Sequence, residues 1–396
     1  MMDFLSRDIK QEMLAMAKAY PIVTVLGPRQ SGKTTLVRQL FSHKPYVSLE
    51  NPDDRAFAEL DPRGFLEQYP NGAILDEIQR LPILLSYLQG IVDQQPTKGQ
   101  FILTGSHQHE LHQSVSQSLA GRTALLTLLP LCLAELPLSL QNENLDYYLY
   151  HGMYPAIYHD QLEPTKFYRN YLQTYVERDV RQMIHIKDLS RFQHFIKLCA
   201  SRVGQLFNAS HISQALGVSS NTVHHWLSIL EASFVIYRLQ PYFENFGKRM
   251  IKSPKLYFTD VGLATYCLDI HTEAQLPRDP LRGSLVENFV ISEFMKHRAN
   301  KGLESNAYFY RDSNQHEIDL LMKRGHDLIP IEIKSSKTFH PEFLKGLHYF
   351  KGIAPSRFKT GYLIYAGDQE QRIHDFFVTH FSHIKNISEA ITDSVQ

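Results

Sequence analysis

Apolar and polar positions alternate in blocks along the first third of the chain. Short apolar runs fall at 21–26, 45–50, 73–76, 100–104 and 123–129, and stretches of helical period lie between several of them. Runs of this length read as buried strands. Residues 7–20 form an amphipathic helix ahead of the first run. Strands alternating with helices predict a parallel α/β sheet. The polar segment 138–146 ends the pattern, and 145–205 reads as mostly helical, most clearly over 168–183.

A different signature follows. Residues 212–217 read as a short helix closing on Gly217; the polar stretch 218–221 starts a second helix that continues over 222–231. Helix, glycine turn and polar-started helix make a helix-turn-helix, for which 234–258 supplies a β-wing. The last third returns to α/β: a helix over 284–298, strands over 307–311, 317–322 and 328–334, a hairpin turn at 323–327, a helix near 340–351 and a strand over 359–365. The expected division is 1–140, 141–205, 206–258 and 259–396.

Composition narrows the setting. The 396 residues carry 41 basic and 41 acidic side chains, so a nucleic-acid site has to be a local patch rather than a global field. Cys132, Cys199 and Cys267 are far apart, which argues against structural zinc and a disulfide framework and fits a reducing compartment. The twenty histidines show no zinc spacing. The first twenty residues lack a signal-peptide core, and no run approaches the ~18 apolar residues of a membrane span. A cytoplasmic protein without membrane contact is expected.

Between the first strand and a helix lies Gly27-Pro28-Arg29-Gln30-Ser31-Gly32-Lys33-Thr34, which fits G-x-x-x-x-G-K-[ST] at every position. Its backbone N–H groups can cradle the phosphates of ATP, Lys33 can contact the outer phosphates, and Thr34 can ligate Mg²⁺. A Gly-Lys turn alone can be fortuitous; Asp76 and Glu77, at the tip of the apolar run 73–75, supply the expected partners. Asp76 supports the metal shell and Glu77 polarises the attacking water. Thr104 or Ser106, ending the next strand, reads either as a γ-phosphate sensor or as a strand-terminal turn. Arg122 reads either as an arginine finger acting on a neighbouring subunit or as a surface arginine.

The C-terminal hairpin carries Asp319 on one strand and Glu332-Ile333-Lys334 on the next. Alternation puts Glu332 and Lys334 on one face, where Asp319 can share a divalent ion with Glu332. Two carboxylates suit Mg²⁺, and Lys334 orients water or stabilises developing charge. This is the layout of a PD-(D/E)xK nuclease core. Glu287, on the preceding helix, adds a ligand through water, and Glu317 is a weaker candidate. The same pattern also describes a hairpin with a solvated, ion-paired face, or a core that binds DNA without cutting it. Ser219, Ser220, Asn221, Thr222, His224 and His225 of the second helix can reach DNA, while Trp226 and Leu227 face the core. Lys248, Arg249, Lys252 and Lys255, with Tyr242, Phe243 and Phe246, form a cationic and aromatic wing diluted by Glu244. Winged helices also serve as protein-interaction modules.

The chain resembles a prokaryotic family that joins an AAA-type ATPase to a winged-helix segment and a C-terminal restriction-endonuclease-like domain. The resemblance rests on 27–35, 73–79, 103–106, Gly121-Arg122, 151–155, 175–180, Glu287-Asn288, Glu317-Ile318-Asp319 and 331–335, and covers nearly the whole chain. It departs at His151, where a glycine is expected. It implies an AAA-type ATPase domain over 1–140, a helical lid over 141–205, a winged helix over 206–258 and a nuclease-like domain over 259–396. It also implies that Thr35 joins the nucleotide site and that Arg122 acts within a ring-like homo-oligomer. Two functions are in play: an ATP-hydrolysing protein acting on DNA through a Mg²⁺-dependent nuclease-like domain, and an ATP-dependent switch with a catalytically silent C-terminus. A stand-alone phosphotransferase is disfavoured, because no acceptor domain is evident.

Overall fold

The computed structural model describes residues 5–106, 118–176, 189–243 and 251–392. Helix α1 (Lys10–Ala19) leads into strand β1 (Ile22–Leu26), and α2 (Lys33–Leu40) follows the glycine-rich loop. Then come β2 (Tyr46–Ser48), α3 (Pro52–Leu60), α4 (Pro62–Glu67), β3 (Ile74–Asp76), α5 (Leu84–Gln94), β4 (Phe101–Gly105) and β5 (Thr123–Thr127). The five strands form one parallel sheet in the order β2-β3-β4-β1-β5. Both faces are covered. Val23, Val25 and Ile102 pack toward α1 and α2, and Ile22, Leu26, Leu75 and Leu103 pack toward α5. Each such side chain, fully buried, contributes roughly 1.5–3 kcal/mol relative to exposure. The strands are shorter than the apolar runs at 45–50 and 123–129, because the flanking residues turn out of the sheet.

The middle is helical: α6 (Leu145–His151), α7 (Pro155–His159) and α8 (Pro164–Tyr171), which runs into a π turn over Leu172–Val176, then α9 (Leu189–Ala200). The later part of the helix expected over 168–183 lies outside the described residues. The helix-turn-helix consists of α10 (Ala209–Leu216) and α11 (Ser220–Ala232). Gly217 takes the left-handed conformation that closes α10, and the Ser219 hydroxyl caps α11 by accepting from Thr222 N at 3.1 Å. Strands β6 (Ile236–Leu239) and β7 (Lys255–Phe258) pair antiparallel behind it.

Helix α12 (Val261–Cys267) returns to the helical middle, where Gly152 and Gly262 bring two backbones together. Helix α13 (Arg282–Asn300) then runs along a second sheet built from β8 (Ala307–Arg311), β9 (Glu317–Arg324), β10 (Asp327–Lys334), β11 (Gly361–Tyr365), β12 (Gln371–Ile373) and β13 (Phe376–His380). Between β10 and β11 lies α14 (Lys345–Ile353), and α15 (Ile384–Thr392) ends the described chain. The strand order is β12-β13-β11-β10-β9-β8. Strands β8, β9 and β10 form an antiparallel meander, and β11 lies parallel to β10 after the α14 crossover.

Candidate functional sites

The nucleotide loop is shaped by backbone requirements. At Gly27 (φ +152°) a Cβ would overlap the carbonyl of Leu128, so only glycine fits. Gly32 (φ +94°) is the N-cap of α2 and supplies no side-chain cap, which leaves the first turn to face the loop's bowl. Gln30 is also left-handed, at φ +61°. Pro28 and Arg29 are buried in the loop wall, Gln30 and Thr35 are exposed, and Arg29 pairs with Glu50 at 3.4 Å. The buried Lys33 ammonium arcs over the loop and donates to the carbonyls of Gly27 and Pro28 at 2.9 and 2.8 Å. The Ser31 hydroxyl is buried with no hydrogen-bond partner among the described residues.

Asp76 stands at the tip of β3. Its Oδ2 accepts from the Thr34 hydroxyl at 3.0 Å and the Tyr46 hydroxyl at 2.6 Å, and its Oδ1 accepts from the Thr104 hydroxyl. Burial first, then the Asp76 carboxylate, raises the Tyr46 phenol above its ordinary range, so Tyr46 remains a donor. Glu77, left-handed at φ +55°, turns its carboxylate toward Ser106 and Gln79; Ser106 donates to Oε2 at 3.0 Å. Thr104 also accepts from Glu77 N at 3.3 Å. Strand β4 lies beside β1, with Val25 opposite Thr104, so both polar tips converge on the loop's end of the sheet. A cradle that only glycine fits, a fixed ammonium, a buried unpartnered hydroxyl and a Thr–Asp oxygen pair fit a nucleoside triphosphate with Mg²⁺.

Arg122 is elsewhere. It precedes β5, whose first residue pairs with the first of β1, so it stands at the end of the sheet opposite the loop. It grips Asp93 with Nε at 2.5 Å and Nη2 at 2.9 Å. Within one chain it touches no part of the nucleotide loop.

Three residues without a role in the motif complete this site. Arg7 is buried against the loop and donates to Ser31 O at 2.6 Å and Leu129 O at 2.7 Å. Tyr46 and Gln79 steer Asp76 and Glu77. Arg7 belongs to no local pattern; only its fold-made neighbours reveal it. Gln79 lies in the stretch that carries the family resemblance, which was its one signal.

The second cluster sits where β9 and β10 leave the hairpin. Lys334 Nζ lies 2.6 Å from Glu332 Oε2 and 3.4 Å from Asp319 Oδ2, and Ile333 N donates to Asp319 Oδ2 at 2.8 Å. The first turn of α14 comes down on this group so closely that a Cβ on Gly346 would overlap Glu332 Oε1. Burial, then the Asp319 carboxylate, pushes Glu332 up to about 8. Against burial, Lys334 and then Lys255 hold Asp319 low. Asp319, Glu332 and Lys334 are therefore together, as their spacing predicts, and two carboxyl groups crowded enough that one holds its proton fit a divalent ion, which would take that proton's place.

Glu287 is differently engaged. Its Oε1 takes the Lys255 ammonium at 2.8 Å and the Tyr257 hydroxyl at 2.5 Å, instead of standing open beside Asp319. Lys255 also reaches Glu317 Oε1 at 2.5 Å, and Arg311 pairs with Glu317 Oε2 at 3.1 Å. This corrects the wing reading: Lys255 is 2% exposed and faces carboxylates, so it offers nothing to a DNA backbone. Tyr242 is likewise buried, packed edge-on against Tyr308. Lys252 and Phe243 are exposed; Glu244, Phe246, Lys248 and Arg249 lie outside the described residues. On α11, Asn221, His224 and His225 are exposed, Trp226 and Leu227 are buried, and the Ser219, Ser220 and Thr222 hydroxyls are engaged locally.

Loop, acidic strand tip and parallel sheet define the N-terminal part as an AAA-type P-loop ATPase domain. The comparisons agree: residues 19–137 match the AAA domain family, 142–274 a domain of unknown function (DUF8612) and 282–384 a second one (DUF4143). The uncharacterised proteins Rv2008c of Mycobacterium tuberculosis and Mb2031c of Mycobacterium bovis are 30% identical over 335 residues, covering 84% of this chain and 74% of theirs. The chain belongs to the family of these mycobacterial proteins. An uncharacterised Haemophilus influenzae protein is 24% identical over 305 residues, covering 67% of this chain and 74% of its own. Among solved structures, a Walker-type ATPase of Pyrococcus abyssi is similar at TM-score 0.45 and 15% identity, covering 67% of this chain and 96% of that one. No helix among the described residues is long and apolar enough to cross a membrane.

Proposed function

We propose that this chain hydrolyses ATP and uses the cycle to act on DNA through its helix-turn-helix and its C-terminal carboxylate cluster. The observation that carries the reading is the Thr34–Asp76–Thr104 network beside a Glu77 aimed by Ser106 and Gln79. Lys33 exchanges the Gly27 and Pro28 carbonyls for phosphate oxygens, and the Ser31 hydroxyl gains an acceptor. Thr34 and Asp76 present oxygens for Mg²⁺, which when bound supplies Lewis-acid charge toward the phosphates. Glu77 takes the proton of the attacking water at Oε2. At the C-terminus, Asp319 and Glu332 supply a divalent ion's oxygen ligands, and Lys334 orients a water toward a phosphodiester. The α13–β8–β9–β10–α14–β11 order supports a nuclease-like core, and Asn221, His224, His225 and Lys252 are the exposed polar groups nearest a DNA reading. Arg122 is proposed to act across a subunit contact in a ring-like assembly, and the protein to work in the cytoplasm.

One observation favours a second reading. The cluster's carboxylates are already offset by Lys334, Lys255 and Arg311, as in a catalytically silent domain that changes partner affinity with nucleotide state. The test incubates wild type, Lys33→Ala and Asp319→Asn with linear, forked and four-way-junction DNA and Mg²⁺ or Mn²⁺, with and without ATP. Cleavage lost in Asp319→Asn supports the nuclease, and the Lys33→Ala lane shows whether ATP gates it. ATP turnover that DNA stimulates, without cleavage, supports the switch. Turnover indifferent to every DNA removes DNA from the proposal.

A further inference from the structure

The C-terminal cluster holds four carboxylates, Glu287, Glu317, Asp319 and Glu332, yet they do not form one open acidic bowl. They fall into two halves, each organised by its own ammonium. In one half Lys334 lies between Asp319 and Glu332. In the other, Lys255 bridges Glu287 at 2.8 Å and Glu317 at 2.5 Å, with Tyr257 closing on the same Glu287 oxygen.

The two lysines differ in access. The Lys334 side chain is 30% exposed, so its ammonium has solvent to turn to when another cation takes its place. The Lys255 side chain is 2% exposed, its ammonium lies 5.5 Å from the centre of the Phe309 ring, and its backbone is fixed in the β6–β7 pair. Burial alone would lower its affinity for a proton; Glu287 and Glu317 outweigh that and hold the ammonium charged. A buried ammonium between two carboxylates offsets their charge as a metal ion there would, with one positive charge in place of two and without exchangeable water.

We propose that Lys255 is a fixed cation standing where a second metal ion would bind, so that the cluster takes one divalent ion, held by Asp319 and Glu332, and Glu287 is not among its ligands. The inference rests on the metal-binding reading of the cluster and narrows it. It makes Lys255 a positioning residue: it sets how many metal ions the site accepts and keeps Glu287 and Glu317 turned away from the ion. A site of this kind polarises one phosphate oxygen and one water through a single ion.

The test is calorimetric titration of the full-length protein with Mn²⁺ in the absence of nucleotide, counting only ions lost in Asp319→Asn. One such ion is expected for wild type and for Glu287→Gln, which keeps the shape and a hydrogen-bonding oxygen and should weaken the ion by no more than the roughly 10–100-fold of an outer-sphere change. Lys255→Met should add a second ion or tighten the first by roughly tenfold, because two carboxylates lose their cation. If Lys255→Met does not fold, the Glu287→Gln comparison still decides. Disappearance of the Asp319-dependent ion in Glu287→Gln, as in Asp319→Asn itself, would make Glu287 a ligand and overturn the inference alone. Two Asp319-dependent ions in wild type would do the same. No Asp319-dependent ion at all would overturn both the inference and the metal reading beneath it.

Discussion

Lys33 is bonded to two loop carbonyls, so its replacement removes charge where phosphates bind without opening a core. Lys33→Ala should fold normally and bind ATP at least about tenfold more weakly in a fluorescent-nucleotide titration. Glu77→Gln should keep that affinity and lower turnover by ~10²–10⁴. If both properties fall together in Glu77→Gln, Glu77 shapes the site instead of moving a proton. Glu332 gives a pH prediction. Its folded carboxyl, at about 8, lies above the ordinary 4.5, so between those values the folded state holds a proton the unfolded chain has released. Its contribution to stability is complete below about 4.5 and is lost as pH rises through about 8. Urea midpoints should fall from pH 5 to 8.5 in wild type and stay flatter in Glu332→Gln; equal slopes would show that Glu332 is not the linked group. At this scale the nucleotide loop was legible because its chemistry is contiguous. The role of Lys255 was not: its partners Glu287 and Glu317 are 32 and 62 residues away, and a lysine near a wing looks the same in sequence whether it meets solvent or carboxylates.

Elements were legible where periodicity and caps agree. Gly217 and Ser219 mark the end of α10 and the start of α11 in the sequence because left-handed backbone and an N-cap hydroxyl each favour few residue types. The meander of β8, β9 and β10 was legible for the same reason, its turn residues lying between two apolar runs. Strands β12 and β13 went unread. Gln371 and Arg372 are exposed at the sheet edge, which leaves β12 without an apolar signature. The closure of α6 and α8 onto α12 was also out of reach, because it depends on two glycines 110 residues apart. Gly152 is left-handed at φ +64°, and a Cβ there would overlap the Tyr168 hydroxyl and crowd Asp260 and Gly262. Asp260 is buried and accepts from Tyr168 at 2.6 Å, Met153 N at 2.7 Å and Leu263 N at 3.1 Å, so it cannot yield cheaply. Gly152→Ala should therefore cost at least ~2 kcal/mol, seen as a lower thermal midpoint. An unchanged midpoint would show that this contact relaxes freely.

Across the whole molecule, two arginines separate what happens within the chain from what happens between chains. Arg122 stands at the far end of the sheet from its own loop, gripped by Asp93. Arg122→Ala should keep ATP binding and lose turnover if it acts across a subunit contact; unchanged turnover at concentrations where the protein assembles would leave it a surface ion pair. Arg7 works inside the chain. It holds Ser31 O in the loop and pairs at 3.2 Å with Glu135, which accepts from Asp8 N and Cys132 N and lies 3.4 Å from Asn300 of α13. On the same helix Glu293 accepts from Leu133 N at 2.8 Å. Asp8, Cys132 and His297 also bring one ligand atom each within 4.8 Å of one another here, a grouping no spacing announces, though Lys385 already holds Asp8 at 2.9 Å. The helix that meets Arg7's partner at Asn300 meets Lys255 at Glu287, so one helix touches the C-terminal cluster directly and reaches the nucleotide loop through Glu135 and Arg7. Arg7→Met leaves Glu135 buried without its cation and should cost ~3–5 kcal/mol, with ATP affinity reduced about tenfold as Ser31 is released. Adding Glu135→Gln removes the stranded charge. The double variant should recover part of the thermal stability, since the new amide NH2 faces one of the two backbone donors that the Glu135 oxygens served, while its nucleotide affinity stays low because the Ser31 carbonyl still lacks its donor. Recovery of both properties would mean that Arg7 stabilises the junction without shaping the loop; recovery of stability alone makes it the residue through which the nucleotide site is fastened to α13.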